Sequence, residues 1–126
     1  MDVGQGQLAW KLRNDKRVIV MERTNARHLK PAVFPQPFEP FDLAVIDCSF
    51  ISLRQILPAT VDLLPPGSRV VALVKPQFEV GREKVGKGGI VRSTEARRDA
   101  LSKIIDLAGS HGLDDLESIE SPITGT

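Results

Sequence analysis

A chain of 126 residues is long enough for one domain with a real core, since a domain of this size buries roughly two thirds of its unfolded surface. Apolar residues make up 41% and charged residues 26%, and the formal net charge is +1, so any nucleic-acid site must be a local patch. One cysteine, Cys48, excludes an internal disulfide, and no apolar run approaches the ~20 residues that cross a bilayer. No basic-then-apolar leader opens the chain, which makes the cytoplasm the expected location.

In chain order, Met1-Asp2-Val3-Gly4 reads as the end of a strand and the turn after it. A helix is expected from about Gln5 to Arg13, with Leu8, Ala9 and Leu12 on one face, Trp10 packing on a neighbouring face and Asn14 closing the helix. Val18 to Met21 is the next apolar strand and runs into Glu22-Arg23-Thr24-Asn25. Pro31, Pro35, Pro37 and Pro40 punctuate a connector that cannot be a regular helix, with Phe34 and Phe38 pinning it to the body.

Phe41 to Asp47 is the central strand. Leu43-Ala44-Val45-Ile46 is unbroken apolar sequence, the pattern of a strand covered on both faces. Ser49 or Ser52 can cap a helix reaching Leu64, with Leu53, Ile56, Leu57, Val61 and Leu64 inward and a kink expected at Pro58. Pro65-Pro66-Gly67 ends it, and Arg69 to Val74 is the next strand. Lys75 to Arg92 is glycine-rich and basic, without periodicity, and reads as a mobile loop. Ser93 caps a helix to about His111, with Ala100, Leu101, Ile104, Ile105 and Ala108 inward and a stop at Gly112. A weak strand covers Leu113 to Glu120, and Ser121 to Gly125 begins a turn. Strands alternating with helices argue for α/β with a mainly parallel sheet. The chain reads as the middle of such a domain.

The chemistry on offer sits at strand ends. In open α/β sheets ligands lie beyond the carboxyl ends of the strands. Asp2 there suits ribose hydroxyls, which a carboxylate can accept together. An ordinary acid at a helix N-terminus is an equal alternative. Asp47 ends one apolar strand and Lys75 the next. Singly, the first reads as a helix cap and the second as a surface lysine; as a pair they suit acid–base work in a cleft. Arg82, Lys84, Lys87 and Arg92 form either a solvated loop or a phosphate-contacting one. No Cys/His set suggests a metal, and no serine sits in a nucleophile elbow.

Five segments occur in order: Asp-Val-Gly-Gln-Gly-Gln-Leu-Ala-Trp-Lys-Leu-Arg from Asp2, Val-Ile-Asp-Cys-Ser-Phe-Ile-Ser-Leu from Val45, Leu-Val-Lys-Pro-Gln-Phe-Glu from Leu73, Val-Gly-Lys-Gly-Gly-Ile-Val-Arg from Val85, and Ser-Pro-Ile-Thr-Gly from Ser121. Together they closely resemble the TlyA-type, haemolysin-like ribosomal RNA methyltransferases, a branch of the FtsJ-like group. The resemblance implies a partial Rossmann-like methyltransferase domain over residues 1–126. Its expected activity is S-adenosyl-L-methionine-dependent 2′-O-methylation of ribose in ribosomal RNA or the ribosomal subunit. It implies catalytic roles for Asp47 and Lys75, two of the four residues in the group's Lys-Asp-Lys-Glu tetrad. It implies cofactor contacts from Asp2, Thr24, Asn25 and Asp47, and RNA contacts from Arg82, Lys84, Lys87 and Arg92. The glycine-rich cofactor loop, the other tetrad members and the S4-like RNA-binding region of the family fall outside these segments. The chain alone is therefore expected to bind cofactor little or not at all and to transfer no methyl group. A non-catalytic RNA-binding remnant is the alternative, and membrane lysis has no support in the sequence.

Overall fold

The computed structural model describes residues 1–123 and divides the chain into two compact units, Met1–Leu73 and Val74–Thr126. The first unit is an α/β arrangement around two parallel strands, β1 (Leu43–Ile46) and β2 (Arg69–Ala72), in register from Leu43 opposite Arg69 to Ile46 opposite Ala72. The Arg69 N–H donates to the Asp42 carbonyl at 2.9 Å, and the Leu73 N–H donates to the Ile46 carbonyl at 2.9 Å, so the pairing extends one bond at each end. Parallel strands need a crossover between them. Here it is a 3₁₀ turn, Leu53–Gln55, followed by a short helix, Leu57–Val61, numbered α2 because the one-turn helix α1, Trp10–Arg13, precedes it.

Proline explains the broken crossover. Pro58 has no N–H to give, so it stands in the first turn of α2 rather than kinking a continuous helix. Ser52 caps the preceding turn, its hydroxyl accepting from the Arg54 N–H at 3.1 Å. Ile46, Leu53, Ile56, Leu57 and Leu63 are buried and form this unit's core; Leu63, not the expected Leu64, is the buried residue at the end of α2. Thr60 is buried beside them without penalty because its hydroxyl donates to the Ile56 carbonyl at 3.0 Å.

The expected burial of β1 on both faces is not found. Ile46 is 6% exposed, but its neighbour Val45 is 70% exposed, and Leu43 and Val71 on the same side are also exposed. Alternation along a strand puts these residues on opposite faces, and no element of the first unit covers the second face.

The N-terminal expectations are also revised. The helix predicted over 5–13 is the single turn α1, and Trp10 is 77% exposed instead of packed. Asn14 does close it, its N–H and side-chain amide both donating to the Trp10 carbonyl. Residues 1–4 and 18–21 join no ladder, Val3 and Gly4 lying in a bend, and Leu113 to Glu120 is not a strand. Without a neighbour in register, apolar alternation alone makes no sheet; Val18 and Val20 still turn inward while Ile19 faces out.

The proline connector includes a 3₁₀ turn, Pro31–Val33. Phe34 and Phe38 pack with Phe41 at centroid distances of 5.2–5.6 Å, which pins the connector to the entrance of β1.

In the second unit, helix α3 (Pro76–Glu79) packs on helix α4 (Thr94–Ser110). The Ser93 hydroxyl caps α4 by accepting from the Ala96 N–H at 3.1 Å. Ala96, Ala100, Ile104 and Ala108, four residues apart, are its buried stripe; Leu101 and Ile105 are only half-buried. Gly112, at φ +83°, ends the helix, with Leu113 N–H donating back to the Ala108 carbonyl at 3.1 Å. Residues 75–92 are not featureless: besides α3 they contain 3₁₀ turns at Arg82–Lys84 and Lys87–Gly89. The expected turn from Ser121 has its last part, Thr124 and Gly125, outside the described residues.

Candidate active site

Three segments carry the residues singled out by the sequence. The first is the N-terminal turn. The Asp2 carboxylate accepts from the Gly4 N–H at 2.6 Å, and its backbone N–H donates to the Met21 carbonyl at 2.9 Å. It precedes a turn rather than a helix, because α1 begins only at Trp10. A cavity of about 220 Å³ lies beside it, with Leu8, Val18 and Val20 among its apolar lining and Glu22 as a second carboxylate. Thr24 is brought to Asp2 directly, its N–H donating to the Asp2 carbonyl at 3.1 Å, while its hydroxyl donates to the Glu22 carbonyl at 3.0 Å. Asn25 instead caps the turn Ala26–His28, accepting from the Arg27 N–H at 3.0 Å. Neither Asn25 nor Asp47 lines the cavity.

The second segment follows β1. Asp47 is exposed, one residue beyond the buried Ile46, so its charge escapes the desolvation that the strand interior would impose. Phe50, three residues on, was not singled out by the sequence. It is 93% exposed at φ +64°, a backbone region a bulky residue rarely adopts. Exposed aromatic rings can stack on unpaired RNA bases. An isolated phenylalanine after a strand gives no sequence signal for this.

The third segment opens the second unit. Lys75 is half-buried and extended (φ −104°, ψ 103°), held out of helical geometry by the proline that follows. Its carbonyl accepts from the Phe78 N–H at 2.9 Å. The parallel pairing of β1 and β2 sets their carboxyl ends side by side. Asp47 follows the first directly, and Lys75 comes two residues after Leu73, which is bonded to Ile46. Arg82, Lys84, Lys87 and Arg92 are all exposed, the arrangement that phosphate contact requires. Among the described residues no group of His, Cys, Asp and Glu could hold a metal ion, and no helix is long and apolar enough to cross a membrane.

Glu22 is the other residue the sequence did not single out. One of its oxygens accepts from the Gly6 N–H at 2.8 Å and from the Arg13 guanidinium. The Gly6 N–H chiefly, with Arg13 assisting, holds its carboxyl below the ordinary value of 4.5. The signal was available, since Glu22 ends an apolar run as Asp47 does.

A short parallel β–α–β crossover with an acid directly beyond its first strand is the pattern of a ligand-binding α/β fold. The chain belongs to the FtsJ-like methyltransferase family, whose profile matches residues 1–126. It is 54% identical over 99% of its length to YqxC of Bacillus subtilis (strain 168), which carries the name of an rRNA methyltransferase, and spans 44% of that protein. It is 46% identical over 98% of its length to the 16S/23S rRNA (cytidine-2′-O)-methyltransferase TlyA of Mycobacterium tuberculosis, of which it spans 45%. A solved structure from Lactococcus lactis, described as a hemolysin, superposes with a TM-score of 0.81 at 45% identity, over 88% of this chain and 52% of that one. The chain thus spans about half or less of the length of each of these relatives.

Proposed function

We propose that this chain is the strand-and-site portion of an S-adenosyl-L-methionine-dependent enzyme that methylates a ribose 2′-hydroxyl in ribosomal RNA, free or in a ribosomal subunit, in the cytoplasm. The observation that supports this most directly is the 46% identity to TlyA across 98% of the chain, joined to a parallel strand pair after whose first strand Asp47 directly stands.

Asp2 and the adjoining apolar walls fit a nucleoside. The carboxylate accepts from ribose hydroxyls through the oxygen that Gly4 does not occupy, and Leu8, Val18 and Val20 offer apolar surface to a base. When bound, the cofactor supplies a methyl group on a sulfonium, activated for displacement. The residues of this chain then have three tasks. Lys75, once its ammonium has given up its own proton, orients the 2′-hydroxyl and takes that hydroxyl's proton onto the neutral amine as the oxygen becomes a nucleophile. Asp47 offsets the positive charge that this creates. Arg82, Lys84, Lys87 and Arg92 hold phosphates on either side of the target, and Phe50 offers a stacking face to its base. Because an in-line methyl transfer depends mainly on positioning, loss of one orienting group is costly.

The 126-residue chain by itself is expected to transfer no methyl group and to bind cofactor weakly at most. Activity is therefore tested with this chain exchanged for its matching segment in YqxC. Radiolabelled methyl transfer to ribosomal subunits is measured, followed by mapping of alkali-resistant ribose. Transfer to a ribose, lost by about 10²-fold or more in Lys75→Ala with cofactor affinity retained, is the expected result. Normal turnover in Lys75→Ala would remove Lys75 from the chemistry, and transfer to a base would remove the ribose assignment. RNA binding with no methylation by the exchanged protein would favour the non-catalytic reading.

A further inference from the structure

Among the features the proposed chemistry leaves unused, the bonding around Glu22 carries furthest. Three backbone bonds tie the N-terminal turn to the segment after Val20: Asp2 N–H to the Met21 carbonyl (2.9 Å), Thr24 N–H to the Asp2 carbonyl (3.1 Å) and Arg23 N–H to the Gly4 carbonyl (3.4 Å). They stop at Gly4. Beyond it the chain turns through Gly6 at φ +72°, and what holds it there comes from side chains. The Gly6 N–H donates to Glu22 Oε1 at 2.8 Å, the Arg13 guanidinium donates to the same oxygen, and Arg23 Nη2 donates to Gln5 Oε1 at 2.7 Å. Glu22 is therefore an acceptor that joins the turn to α1. In the same turn Gly4 donates the N–H that fixes the Asp2 carboxylate at 2.6 Å. Asp2 and Glu22 also line the same cavity.

We infer that Glu22 is a positioning residue: it locks the Gly4–Gly6 turn, so that the Asp2 carboxylate is held in place for the vicinal hydroxyls of a bound ribose. The inference rests on the reading of Asp2 as a ribose contact. It assigns Glu22 no contact with the ligand. A charge-assisted acceptor shared by a backbone N–H and a guanidinium is stronger than either neutral bond, so the lock should weaken in steps from Glu to Gln to Ala.

The test uses the 126-residue chain, adenosine and 2′-deoxyadenosine in millimolar titrations followed by NMR, with the Gly6 amide as an internal reporter. In the parent chain the Gly6 amide shift should titrate with Glu22, at a pH below the ordinary glutamate value. Adenosine should bind more tightly than 2′-deoxyadenosine. Glu22→Ala should weaken adenosine about fivefold and erase the discrimination, since about that much follows from loosening a hydrogen-bonded contact. Glu22→Gln should keep part of both while abolishing the Gly6 titration, and its retained fold separates positioning from collapse. Full discrimination in Glu22→Ala, or a Gly6 amide indifferent to pH in the parent, would overturn the role of Glu22 alone. A parent chain whose Gly6 amide titrates but that treats the two nucleosides alike would overturn the ribose reading of Asp2, and the positioning role with it.

Discussion

Replacing Ile46 and Val45 by alanine, one at a time, asks the same strand two different questions. Ile46 is 6% exposed, so Ile46→Ala removes three carbons from the core. At about 0.8 kcal/mol per buried methylene the transfer loss is about 2.5 kcal/mol, and an incompletely closed cavity brings the total to about 3–4 kcal/mol. Val45 is 70% exposed, so Val45→Ala gives up little burial; with the lower strand preference of alanine the expected loss is about 0.5–1 kcal/mol. Urea denaturation of the 126-residue chain measures both, and unchanged slopes would show that the midpoint shifts report stability. A gap of at least about 2 kcal/mol between the variants is expected from these two burial estimates. A Val45→Ala loss as large as that of Ile46→Ala would refute the reasoning: the outer face of β1 would then be covered in solution, by self-association if the loss depends on protein concentration.

Ser93→Ala should cost about 1 kcal/mol by removing the acceptor for the Ala96 N–H, and Ser93→Asp should restore it; equal denaturation midpoints for parent and alanine variant would show that the cap contributes nothing. Neutralising Arg82, Lys84 and Lys87 together, in the YqxC exchange, should lower the salt slope of RNA binding by about 2, at roughly 0.7 per phosphate on single strands. An unchanged slope would make these cations a solvated surface. Glu22 sets an acid limit on stability. Its carboxyl is held low when folded, so its contribution is fully present above the ordinary value of 4.5 and fades as pH falls through the lowered one. Glu22→Gln should flatten that limb of the stability–pH curve, and an unaltered limb would show that the Gly6 and Arg13 bonds do not form in solution.

The sequence by itself determined the elements whose cause is local. The α4 helix, its Ser93 cap and its Gly112 stop follow from side-chain oxygen geometry and from a residue tolerant of positive φ. The two strands at Leu43 and Arg69, their parallel sense and the acid directly after the first were legible because short apolar runs separated by a helical pattern have few other solutions. The family was legible too, in five segments whose order no composition argument could supply. What depended on partners was decided only in three dimensions. Val18 to Met21 has the pattern of a strand but no neighbour in register, so it joins no ladder. β1 has the pattern of a doubly covered strand but one bare face, because apolar sequence states what can be buried and not what arrives to bury it. Pro58, where the sequence led one to expect a kink, stands instead in the first turn of a separate short helix. Phe50 and Glu22 became visible through exposure at a left-handed backbone and through bonds to Gly6 and Arg13, distances of 16 and 9 residues along the chain that only folding closes.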